Sequence, residues 1–143
     1  MYSTLLQIHS VLRWVLLVFL ILTLVKGLIG WFGKKDFEAN DKRIALVALI
    51  MSHLQLVFGI ILFFISPIVQ QGLSDMGATM KDKNLRFWTV EHTSTMVLGI
   101  ILITIGYSKA KRLSDAVAKH KSLAIFYGIG LLLILSRIPW DRV

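Results

Sequence analysis

The sequence predicts an all-α protein, a four-transmembrane-helix up-down-up-down bundle. Three observations predict it. The chain of 143 residues is 56% hydrophobic and only 17% charged, with a mean hydropathy of +0.73, which is far more apolar than a water-soluble domain of this length. The apolar residues gather into four runs, each reaching the roughly 20 residues that cross a hydrocarbon core. The basic residues gather at the ends of those runs, where membrane topology places them.

The first run covers about 4–32. It is too long for a signal peptide and has no small-residue cleavage site, so it is expected to stay as a membrane helix. It exceeds one bilayer thickness, which implies tilt or projection. Gly33 stops it and opens the polar connection "GKKDFEANDK". The second run covers about 42–68 and closes near Pro67. The longest connection, "SPIVQQGLSDMGATMKDKN", leads to the third run at about 86–108, which carries polar inserts. Ser114 or Asp115 supplies the cap that starts the fourth run, about 116–139, and Pro139 falls at its end. Residues 1–143 therefore form one domain. No two-fold repeat is present, because His9 and His92 are 83 residues apart whereas His53 and His120 are 67 apart.

The net charge of +8 belongs to this topology and not to a nucleic-acid interface. Nine basic residues sit with the 33–42 and 108–116 connections, and six sit on the other side. The positive-inside rule then puts the first side in the cytoplasm and both termini outside, on the periplasmic side of a bacterial inner membrane. The absence of cysteine excludes disulfides, thiolate-ligated zinc, iron–sulfur clusters and covalent haem attachment. No phosphate-binding glycine loop and no nucleophile–base arrangement is visible.

Ionisable residues inside membrane helices are functional candidates. His9, Arg13, Glu91, His92 and Arg137 all fall toward the side of the termini, accompanied by Trp14, Trp88 and Trp140, which suit an interfacial aromatic belt. His9 and His92 each lie roughly 8–9 Å beyond their helix starts, on helices expected to be diagonal neighbours. Two imidazoles at one level could hold a single metal centre, and a bis-histidine b-type haem needs two such opposed rings and a tall apolar slot. His92, Met96, Gly99, Ile103 and Gly106 share one stripe. It could wall that slot, or it could be small-residue helix packing. Arg13 is expected to pair with Glu91, or Glu91 to accept a proton from a ligand imidazole. Arg13, Arg86 or Arg137 could meet haem propionates. His53 and His120 are a second possible pair, though roughly 8 Å apart in depth. The lysines beside His120 suggest a hydrated position. Lys26 is expected to snorkel toward the 33–42 side.

The segment "IHSVLRW" (8–14) resembles the HSxLRW signature of small four-helix cytochrome b-like integral membrane proteins of Bacteroidota. "VEHTSTM" (90–96) and "SRIPW" (136–140) are similar to segments of the same group. The resemblance covers nearly the whole chain in layout. It implies that His9 and His92 carry haem b, with Arg13 and Glu91 in support. The chain lacks the aromatic–glycine pattern that follows the first histidine in compact protoporphyrinogen oxidases.

Two functional expectations follow. The first is membrane electron transfer through haem, with quinol or another membrane subunit as partner within the lipid bilayer. The second is a non-catalytic accessory or assembly subunit, in which the same ionisable residues fix helix register. Proton or solute carriage by Lys26, His53 and Glu91 ranks below both, since no discontinuous helix marks a site.

Overall fold

The computed structural model describes residues 1–142. Among them every regular element is helical. The order is α1 (Tyr2–Phe32), α2 (Ala39–Ile65), α3 (Pro67–Ser74), α4 (Met76–Lys81), α5 (Lys83–Arg86), a π-helical turn Phe87–Glu91, α6 (His92–Arg112), α7 (Ala116–Ser136) and a final 3-10 turn Trp140–Arg142. Four helices are long and apolar enough to cross a membrane: α1, α2, the run Lys83–Arg112, and α7. Their outward faces are apolar too. Val18, Val57 and Leu132 are 54%, 53% and 68% exposed, a surface that only lipid tolerates over this extent. The chain is a membrane protein.

The boundaries follow local chemistry. The Gly33 N–H closes α1 on the Ile29 carbonyl at 2.8 Å, and the reversal is made at Lys34, whose φ is 48°. At the start of α2, the Glu38 N–H donates to Asp41 Oδ2 at 2.9 Å. Asp41 also receives Lys26 Nζ at 3.1 Å. Lys26 therefore reaches toward this end as expected, and there it finds a carboxylate. Of the two candidate caps for α7, Asp115 acts, accepting from the Ala118 N–H at 3.0 Å.

Two boundaries differ from the sequence reading. The connection after Pro67 is helical over most of its length, because Ser66 ends α2 in an extended conformation and Pro67 restarts a helix at its first position. The third span begins earlier than expected, at Lys83, where Asp82 accepts hydrogen bonds from the Asn84 and Leu85 N–H groups.

α1 packs on α2 and α7, and α6 packs on α7 and more loosely on α2. α1 and α6 therefore face each other across the bundle. Leu16, Leu17, Leu20, Ile103, Leu123 and Leu131 fill the centre. Tyr127, fully buried, donates to the Ala45 carbonyl at 2.8 Å and ties α7 to α2.

The α6–α7 seam is close because it is lined with glycine. A Cβ at Gly130 would stand 2.9 Å from Ile103 Cγ1 and 3.0 Å from the Gly99 carbonyl oxygen. The stripe Gly99–Ile103–Gly106 thus serves helix packing, the small-residue reading. Gly99 contributes no wall to a cofactor slot, because Gly130 and Ile134 already occupy its open side. Gly130→Ala is expected to destabilise the protein by about 1–3 kcal/mol through overpacking. Gly77→Ala meets only Asp75 Oδ1 at 3.5 Å and should be near neutral. Thermal unfolding of both variants in detergent checks the contrast.

Candidate functional site

Toward the end of the bundle that carries α3–α5, the four spans enclose a cavity of about 250 Å³. On α1 its wall runs from Tyr2 to Leu17, about 22 Å of helix. The slot is therefore tall. Most of its lining is aliphatic or aromatic. The exceptions include His9, Ser10 and Arg13 from α1, Gln55 from α2, and His92 and Thr93 from α6. His9 and His92 share this one cavity, as the matched depths of the two residues suggested. Met96 lines it as well.

Each imidazole is set by its neighbours. His92 Nδ1 is 2.7 Å from the Arg137 carbonyl oxygen. A carbonyl only accepts, so Nδ1 carries the proton and Nε2 of the neutral ring keeps its lone pair. The ring lies to one side of a pair of aromatic neighbours, with centroids 5.8 Å from Phe87 and 5.7 Å from Trp88. His9 is held at its backbone, where its carbonyl accepts from Gln55 Nε2 at 2.8 Å. Its ring lies against Gly59, where a Cβ would come within 3.3 Å of His9 Cε1. Glycine at that position leaves the ring its room.

Three buried polar atoms on these walls have no hydrogen-bond partner among the described residues: His9 Nδ1, Arg13 Nε and Gln55 Oε1. In a low-dielectric interior such atoms are costly unless something else meets them. Arg13 sits beside its neighbour Trp14, its guanidinium 5.0 Å from the ring centroid.

Glu91 does not join this group. Its carboxylate takes Arg86 Nε at 2.7 Å, with Arg137 Nε at 3.8 Å. The expected Arg13–Glu91 pair is therefore replaced by an Arg86–Glu91–Arg137 cluster outside the cavity lining. The acceptor for the His92 proton is a backbone carbonyl and not Glu91. The physical reason is the π-helical turn at Phe87–Glu91. It widens the helix just before His92, so that consecutive Glu91 and His92 serve different surroundings. Arg137 itself contributes its backbone to the site, and its side chain serves Glu91.

The second histidine pair does not form. His53 Nε2 meets Thr104 Oγ1 at 3.0 Å on an exposed face between α2 and α6. His120 is 2% exposed and not hydrated. Its Nε2–H donates to the Asp36 carbonyl at 3.0 Å, and the ring fills the space left by Gly30. The flanking lysines suggest water, yet Lys119 and Lys121 lie over the Phe37 and Trp31 rings while His120 is buried.

The sequence reading passed over Ser10, Thr93 and the cavity role of Gln55. A lone amide within the apolar run "HLQLVFG" (53–59) was the available signal for Gln55. The π-helical turn has no comparable signature.

Among the described residues no group of three or more His, Cys, Asp or Glu is placed to hold a metal ion, and none of them brings a carboxylate to the cavity. A bare zinc ion takes three or four protein ligands. Two neutral imidazoles without a carboxylate suit a metal that brings its own equatorial ligands. The cavity offers two imidazoles, with Arg13 on the same wall. No protein family, curated protein or solved structure matches this chain.

Two outcomes are expected from this geometry. In ¹⁵N spectra of histidine-labelled protein, His92 appears as the Nδ1–H tautomer, and Arg137→Gln leaves that signal in place because the acceptor is backbone. Glu91→Gln removes a partly exposed ion pair and lowers thermal stability by about 1 kcal/mol.

Proposed function

We propose that this chain is a b-type cytochrome-like electron-transfer protein of the bacterial inner membrane. In this reading it is an up-down-up-down bundle with both termini on the periplasmic side, and His9 and His92 hold haem b between the first and third spans. The observation that carries the reading is the pair of imidazoles on one carboxylate-free cavity, one of them with its proton already committed to backbone. That hydrogen bond orients the ring and raises the basicity of the free nitrogen.

The remaining residues have roles consistent with it. Arg13, with an unpartnered Nε on the cavity wall, offers charge to a propionate. Gly59 leaves room for the His9 ring, and the apolar walls exclude water. Bound there, haem would supply one-electron redox chemistry at a potential set by its axial ligands and its burial. Quinol or another membrane subunit is the partner class that a site within the bilayer admits.

One observation favours the accessory-subunit reading. The Arg86–Glu91–Arg137 cluster lies within the chain and links the third span to the residues after α7, as a register device would. Optical spectroscopy separates the two. Purified protein is expected to show a Soret band that sharpens and shifts on reduction. His9→Ala and His92→Ala should each lose most of the bound haem, and His53→Ala should retain it. A colourless protein that is folded and correctly inserted, even after expression with added haem precursor, would leave only the accessory reading.

A further inference from the structure

A second and smaller hollow, about 40 Å³, lies at the other end of the bundle, where the start of α2, the end of α6 and the start of α7 meet. Lys42, Lys111 and Lys119 line it together with Tyr107 and Phe37, and no carboxylate does. Lys119 is fixed there. Its ammonium donates to the Ala110 carbonyl at 2.8 Å and stands 5.4 Å from the Phe37 ring centroid. Phe37 is held in turn by an edge contact with buried His120, centroids 5.1 Å apart. Lys42 and Lys111 are exposed and have no ion-pair partner among the described residues. Asp41, the carboxylate next to Lys42, is already taken by Lys26. Three lysines therefore line one hollow, two of them with no ion-pair partner among the described residues, and a cluster of one sign attracts an anion.

The level of the hollow selects the kind of anion. Lys42 is in the first turn of α2 and Lys111 in the last turn of α6, at the edge of the apolar spans, where lipid headgroups lie. Directly along the spans runs the α2–α6 seam, the loosest of the four adjacent pairs. On α2, Leu46, Ile50, His53 and Val57 follow 4-3-4 spacing and are all exposed. On α6, Ile101 is 48% exposed beside Thr104, the partner of His53. The seam thus presents apolar walls beneath a cationic notch. We infer that this notch binds an anionic phospholipid, its phosphate between Lys42, Lys111 and Lys119 and an acyl chain along the α2–α6 seam. The site is independent of the haem reading, at the opposite end of the bundle.

The test is lipid titration of the purified full chain in neutral detergent, followed by native mass spectrometry and by thermal unfolding. Dioleoyl phosphatidylglycerol is expected to bind and to raise the unfolding midpoint. Dioleoyl phosphatidylcholine and inorganic phosphate should do neither. Lys42→Gln/Lys111→Gln is expected to weaken phosphatidylglycerol binding by about thirtyfold, from about 1 kcal/mol for each lysine near a lipid surface. Lys34→Gln/Lys35→Gln, with the same loss of charge outside the hollow, should keep the affinity. The inference is overturned by equal binding of the two lipids, or by equal losses in the two double variants, which would mean diffuse attraction only. Stabilisation by inorganic phosphate alone would also overturn it, identifying a free-anion site. If Lys42→Gln/Lys111→Gln unfolds in detergent, the wild-type preference between the lipids and phosphate still decides.

Discussion

In hydrocarbon, a polar group must find its partner within the chain, and this constraint shapes nearly every polar contact described above. Several hydroxyls of the spans turn back onto their own helix or onto a neighbour. Thr23 bonds to the Phe19 carbonyl, Ser52 to that of Leu49, Thr104 to that of Ile100 and Ser122 to that of Gly106. Tyr127 crosses from α7 to α2, and His120 crosses to the loop before α2. Against that background, the unpartnered atoms of His9, Arg13 and Gln55 gather on one cavity. Two further buried atoms without a partner, Thr89 Oγ1 and Arg137 Nε, lie outside its lining.

The bundle makes room for the cavity by uneven packing. Glycines draw α6 and α7 into close contact along Gly99, Gly106 and Gly130, and Gly27 and Gly30 do the same for α1 against α7. In the cavity's own wall the one glycine, Gly59, faces the His9 ring and not another helix. At the opposite end the loose α2–α6 seam opens outward between lysines. The same fold thus holds an apolar hollow bearing two imidazoles and, at its other end, a smaller one bearing three ammonium groups.

Much of this was legible from the sequence, and the failures have specific causes. Four spans, the cap at Asp115 and the reach of Lys26 follow from hydropathy, local capping and side-chain length. The common cavity of His9 and His92 follows from depth, which residue number sets at 1.5 Å per position. Rotation about the helix axis is a different quantity. The π-helical turn before His92 altered it locally, so Glu91 was assigned to Arg13 when it belongs to Arg86 and Arg137. The same gap explains His120, whose neighbours in sequence are lysines while its neighbours in space are Gly30 and Phe37. For Gly99 the stripe itself was right, but spacing alone could not say which partner faced it. Residues 67–81 were read as a connection because their helices are short and mixed in polarity.

The hydrogen bond from His92 to the Arg137 carbonyl has a consequence for biogenesis. The first two spans, with His9, Gln55 and Gly59, leave the ribosome early. His92 follows with the third, but its acceptor lies beyond the fourth. Until that last span is inserted, the ring is free to turn and to choose either tautomer. The site is therefore completed only after Arg137 has been made, and a chain arrested before Arg137 carries both histidines without that fixed geometry.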